Sequence, residues 1–191
     1  PTGHKSTLRA SLPTPTWRLI NQGVVRVKTT TNQITTTCGI MANYSDIDKD
    51  LADLNGNGPE YRMGEAAGVI EGMSQELAST LIYGDTDLYP QKFVGLAPRY
   101  YTIAGSATSG NIINAGGAAA LTSIWLVGWG EKKVFGIYPK GSKAGLEQQD
   151  LGEVTALDSD HNPFQAYRSY FSQKVGLVVE DWRYVVRICN I

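Results

Sequence analysis

An α+β fold is predicted by two features of the 191-residue sequence. Stretches rich in β-branched residues lie before residue 43 and after residue 122, and one long helical period runs between them from Pro59 to Tyr83. Charged residues make up 18% of the chain against roughly 25% in an ordinary soluble domain, so the surface is expected to be polar but sparsely charged. The length suits one globular domain or two small ones. The chain opens on Pro1 instead of Met, and a longer natural protein is expected.

Residues 1–16 hold Pro1, Pro13 and Pro15 among Ser and Thr with little apolar period, which predicts an extended N-terminal arm. Residues 17–28 and 33–42 are β-branched and flank a tip at Thr29-Thr30-Thr31-Asn32, so 17–42 reads as a long β-hairpin. In its second strand Ile34, Thr36, Cys38 and Ile40 share one face with Gln33, Thr35 and Thr37 on the other. Neither face is apolar enough for a large core, and the hairpin is expected to project.

Ser45-Asp46-Ile47-Asp48 is a helix start, with Ser45 as cap, for a short helix carrying Ile47, Leu51 and Leu54 and ending at Asn55-Gly56. Pro59 then sits where a helix tolerates proline, at its first position, ahead of Met63, Ala67, Ile70, Ser74, Leu77 and Leu81, with Gly84 as the stop. At 1.5 Å per residue this helix is about 37 Å long. Gly64, Gly68 and Gly72 recur every fourth residue inside it, which means either close packing on that stripe or simple tolerance. Turns around Pro90 and Pro98 follow, then a Gly/Ser/Asn segment over 105–117. Strands are expected at Ser123–Trp129, Lys133–Tyr138, Phe164–Lys174 and Val175–Ile191, the last interrupted near Glu180-Asp181. Thus 43–101 is expected to hold the two helices and turns, and 102–191 a β-rich portion.

The formal net charge of −1 gives no electrostatic drive for a dedicated nucleic-acid binder. The uncharged run from Tyr100 to Gly130 is broken by Asn114, Thr122, Ser123 and several glycines, which argues against a membrane span. Cys38 and Cys189 are far apart and neither lies at metal-ligand spacing. His4 and His161 adjoin no nucleophile motif, and the order in Gly141-Ser142-Lys143 is wrong for a phosphate loop. Asp53-Leu-Asn55-Gly-Asn57-Gly58 matches the first half of a calcium loop, but Gly64 occupies position twelve where a bidentate Glu is needed. Glu180 and Asp181 would point to opposite faces of a strand and cannot share a substrate. No catalytic residue, cofactor or metal site is expected, and a chain with long projecting elements and little chemistry reads as an assembly component.

Several runs resemble the major capsid proteins of tailed double-stranded DNA bacteriophages, in particular the epsilon-fifteen-type family. They are Leu12-Pro-Thr-Pro-Thr-Trp17-Arg-Leu-Ile-Asn, Ile70-Glu-Gly-Met-Ser-Gln-Glu-Leu-Ala-Ser-Thr-Leu-Ile-Tyr-Gly-Asp, Phe93-Val-Gly-Leu-Ala-Pro-Arg-Tyr, Gly136-Ile-Tyr-Pro-Lys-Gly-Ser-Lys-Ala-Gly-Leu and Asp181-Trp-Arg-Tyr-Val-Val-Arg-Ile. The resemblance implies a Hong Kong 97-type capsid fold, present here as a partial chain. Residues 1–16 would then be the arm, 17–42 the extended loop, Pro59–Tyr83 the spine helix and 102–191 parts of the peripheral and axial domains. It implies self-assembly into hexamers and pentamers of an icosahedral virion shell, built in the bacterial host cytoplasm, with scaffold, portal and decoration proteins as partners. Packaged double-stranded DNA would be touched only non-specifically, and no membrane is involved. Arg26, Lys28, Thr29, Thr30, Thr31, Asn32 and Gln33 are the candidate intersubunit residues of the hairpin. An encapsulin-like compartment shell, a β-rich glycan-binding virion module and an uncharted enzyme are the rival readings.

Overall fold

The computed structural model describes residues 3–54, 56–106, 108–117 and 122–191. Pro1 and Thr2 of the expected arm, Asn55 at the expected helix end, Ala107 and residues 118–121 of the uncharged run lie outside the described residues.

The chain opens as a strand. β1 (Gly3–Ser11) and β2 (Thr30–Thr37) pair antiparallel from Gly3 opposite Thr37 to Ser11 opposite Thr30, with a register shift after Arg9. The expected hairpin boundaries are therefore corrected: 3–11, assigned to the arm, is the first strand, and 17–28 lies in the loop joining the two. The alternation Ser6, Leu8 against Lys5, Thr7, Arg9 gives the first strand one inward face, and Pro13 and Pro15, which cannot donate to a ladder, end it. The second expected strand is also divided. β2 stops at Thr37 and β3 (Gly39–Asp48) begins after Cys38, where the chain enters the body and Gly39 is buried.

β3 pairs antiparallel with β8 (Pro163–Val179) from Gly39 opposite Val175 to Asp48 opposite Ala166. This pairing absorbs Ser45-Asp46-Ile47, so the helix starts later than expected. Asp48 is the cap of α1 (Lys49–Asp53), its Oδ1 accepting from the amides of Asp50 at 2.9 Å and Leu51 at 3.3 Å. α2 (Gly58–Tyr83) begins one residue before the expected Pro59 and ends before Gly84. It crosses β3 and β8 with Met73 and Thr80 buried. Its glycines do not face the body: a Cβ at Gly64, Gly68 or Gly72 would meet nothing within 4 Å.

Beyond α2 the chain turns back beneath the helix end. Gly95 donates to the Gly84 carbonyl at 2.8 Å and Leu96 to that of Leu81 at 3.0 Å. A Cβ at Gly84 would lie 2.4 Å from the Phe93 carbonyl oxygen, so close backbone crossing requires glycine there. β4 (Ile112–Asn114) is parallel to β9 (Val185–Cys189), which pairs antiparallel with β5 (Ser123–Val127) on its other edge. β6 (Val134–Ile137) and β7 (Leu146–Leu157) both pair with β8, at 176–179 and 163–173 respectively. β7 was not expected. Its ladder shifts register at Asp150/Gly152, and Gly152 takes the positive φ of 74° that the bulge needs.

The expected strands 164–174 and 175–191 are joined differently: β8 is unbroken from Pro163 to Val179, and Trp182–Tyr184 is a short 3-10 turn before β9. The main core lies between the two β8- and β9-centred sheets and the end of α2. Phe93, Leu96, Tyr100, Ile112, Val134, Leu177, Val179 and Val185 are buried there with Cys189, and Leu77, Leu81 and Trp125 pack on them.

Candidate assembly surface

The hairpin touches the body along its paired strands, from His4 to Arg9. Ser6 and Thr36 are buried, the His4 ring meets Phe135 edge-on at 6.5 Å between centroids, and the Trp182 indole N–H donates to the Arg9 carbonyl at 3.0 Å. Past Arg9 the ribbon leaves the body. Asn32 and Gln33, with Thr30 and Thr31, lie in β2, and Thr30 shares a 2.6 Å hydroxyl contact with Ser11. Arg26, Lys28 and Thr29 lie in the joining loop, and all seven candidate residues are exposed.

The same loop carries apolar residues that the sequence reading assigned to a strand face. Trp17 is 104% exposed, Ile20 91% and Val25 75%, with Leu19, Val24 and Val27 also open. This many large apolar side chains on one element exceed the scattered exposure of a monomer surface. The signal was present in Trp17-Arg-Leu-Ile, and it was missed because a β-strand reading supplied those residues with a sheet to pack on.

Elsewhere the titratable groups are structural. Arg168 forks onto the Asp46 carboxylate at 2.6 and 2.5 Å, directly across the β3–β8 ladder, and the bond holds that carboxyl below its usual range. Arg62 donates to the Asp150 carboxylate at 2.6 Å and Lys92 to that of Glu76 at 2.6 Å, and each bond lowers the carboxyl it reaches. Asp181, one of the adjacent acids, accepts from the Arg183 side chain at 2.9 and 2.5 Å and is lowered by it. Ser142 donates to the Pro139 carbonyl at 2.7 Å within its own turn. Burial pushes the Cys38 thiol up, away from reactivity. In the partial calcium motif Asp53 accepts from the Tyr167 hydroxyl at 3.3 Å. Among the described residues no three His, Cys, Asp or Glu are grouped to hold a metal. No helix among them is long and apolar enough to cross a membrane.

The family model described as Major capsid protein GP7 matches residues 1–191. The chain belongs to this major capsid protein family. Among solved structures, a chain of bacteriophage Epsilon15 is 40% identical with a TM-score of 0.63, and the match covers 100% of this chain and 58% of that one. The SrpI encapsulin of Synechococcus elongatus PCC 7942 is 13% identical with a TM-score of 0.59, covering 97% of this chain and 82% of that one. The capsid of an empty GTA particle is 11% identical with a TM-score of 0.54, covering 98% and 84%. Comparison with curated protein sequences finds no match. The fold of this major capsid protein chain is the Hong Kong 97-type α+β fold, and the chain spans 58% of the length of the Epsilon15 chain it resembles.

Proposed function

We propose that this chain is the shell-building portion of a protein that self-assembles, through hexamers and pentamers, into the icosahedral virion shell of a tailed bacteriophage and encloses its double-stranded DNA. The observation that carries the reading is the 40% identity to the Epsilon15 chain across the whole of this chain. The encapsulin likeness at 13% identity speaks for fold alone and favours no protein-cargo shell.

The hairpin is the intersubunit element of this reading. Its base is docked, its loop is apolar and solvated, and a repeated heterologous contact made by such an element closes into rings. Arg26, Lys28 and Thr29 to Gln33 lie on it, so their contacts fall on a neighbouring subunit. The net charge of −1 gives no electrostatic drive for a dedicated DNA interface, and contact with the packaged DNA is non-specific only. Scaffold, portal and decoration proteins are the partners of assembly in the host cytoplasm, and the protein's function is structural, without catalysis.

Electron microscopy of the full-length protein made in bacteria tests this. Closed shells or capsomer rings are expected, and discrete monomers or trimers at every salt and protein concentration, with or without a co-expressed scaffold, would overturn it.

A further inference from the structure

One face of the sheet formed by β3, β8 and β7 is turned away from both helices. α1 and α2 lie against the other face, where Arg62 donates to Asp150 and to the Ser169 hydroxyl at 3.5 Å and Tyr167 donates to Asp53. Side chains alternate across a strand, so the register sets out three rows on the free face. Asp46 and Arg168 form the first row, Tyr44, Tyr170 and Gln149 the second, and Ala42, Ser172 and Glu147 the third.

The second row is an aromatic platform set in advance. The Tyr44 and Tyr170 rings lie 4.8 Å apart between centroids, and the Arg168 guanidinium sits 5.7 Å from the Tyr44 centroid while Asp46 holds its fork. The rings are thus ordered before any ligand arrives, yet Tyr44 remains 58% exposed. The third row is small where the second is large. Beside Tyr170 a depression of about 390 Å³ opens, lined by Ser172, Glu147, Gln149 and Lys143 among others. That size falls within the ~300–1,000 Å³ of small-ligand sites. Charge nearly cancels across the face, since Asp46 neutralises Arg168 and Glu147 shares the depression with Lys143. A polyanion would need a clustered excess of cations, which this face does not offer. An aromatic ring beside amide and carboxylate groups instead suits a sugar, whose apolar C–H face lies on the ring while its hydroxyls take the hydrogen bonds.

Beyond the proposed shell function, we infer that this face binds a neutral oligosaccharide, with one pyranose stacked on Tyr44 and Tyr170 and the next seated in the depression at Gln149 and Glu147. The stacked ring supplies apolar contact, and the polar groups fix orientation. The Gln149 amide can donate and accept, and the Glu147 carboxylate accepts from two adjacent hydroxyls. Because the ligand neutralises no charge, binding varies little with added salt.

The test is an array of neutral and acidic bacterial oligosaccharides, probed with the purified full-length protein in whichever assembly state it adopts, followed by titration calorimetry of the strongest neutral hit. Tyr44→Ala is expected to weaken that hit at least about tenfold and Gln149→Ala about threefold, with the melting temperature unchanged. Tyr44→Phe keeps the ring and is expected to retain binding, as is Tyr61→Ala, which removes an exposed tyrosine of α2. Should Tyr44→Ala disturb folding, Gln149→Ala reads the same site from the exposed side of β7. Hits among cell-surface oligosaccharides or among intracellular storage glucans both support the site and tell its sources apart. No retained glycan, a neutral hit that both substitutions leave unchanged, or retention of acidic members alone with binding that falls as salt rises would each overturn the inference and leave the shell reading intact. Failure to assemble with neutral-glycan binding preserved would sink the shell reading and leave this site standing.

Discussion

Arg99 donates to the carbonyls of Val94 at 3.3 Å, Gly95 at 3.2 Å and Leu177 at 3.0 Å, tying the turn after α2 to the C-terminal end of β8. No carboxylate balances it among the described residues, and burial lowers its pKa from the usual value. Arg99→Met removes three donors from acceptors with little access to water and is expected to cost about 2–3 kcal/mol in denaturant melts. Its neighbour Tyr100 is buried and donates to the Trp182 carbonyl at 2.9 Å. Burial raises its phenol well above the ordinary value. Since the folded pKa lies above the unfolded value of about 10, its contribution is complete below about pH 10 and is lost as pH rises through the folded value. Tyr100→Phe is expected to cost about 1 kcal/mol at neutral pH and to flatten the alkaline loss of stability, measured by melts across a pH series.

At the scale of elements, the glycines around α2 divide by what surrounds them. Gly68 has open space, so Gly68→Ala is expected to raise subunit stability by about 0.5–1 kcal/mol through helix propensity. Gly84 has the Phe93 and Thr80 oxygens at 2.4 and 2.5 Å from a would-be Cβ, so Gly84→Ala is expected to cost more than about 2 kcal/mol. Thermal unfolding of the two variants checks both signs. The long helix was legible because apolar period, Pro59 and Gly84 all agree on it. β7 was not, because Glu147, Gln148, Gln149, Asp150 and Glu153 pair along a single neighbour, β8, and carry no apolar alternation. The hairpin was legible in kind but displaced in register: Trp17 to Lys28 has strand composition yet no partner, whereas the polar segment 3–11 finds one at 30–37. Pairing across 19 or more residues leaves no local signal for which stretch is chosen.

For the whole molecule, the exposed loop is useful only when covered. Trp17→Ser with Ile20→Ser is expected to leave the subunit's melting temperature unchanged and to abolish or sharply reduce particle formation, as judged by sedimentation and microscopy. Unaltered assembly would mean that those side chains stay in solvent and that other surfaces hold the subunits. The candidate basic residues were readable from sequence because charge is visible there, while the apolar half of the same surface became visible only when the chain's own strand pairing left it uncovered. Family and fold were legible from extended runs of similarity.

Only Cys38 separates the hairpin from β3, which is stitched to β8 over the ten pairs from Gly39–Val175 to Asp48–Ala166. A neighbour gripping the loop would therefore hold a cable spliced along β8, the sheet's central strand. Tension running along β3 loads that ladder in shear, so its bonds resist together instead of peeling one after another. A container pushed outward from within would distribute the strain across the ten pairs of that ladder in each subunit and spare the loop from bearing it alone.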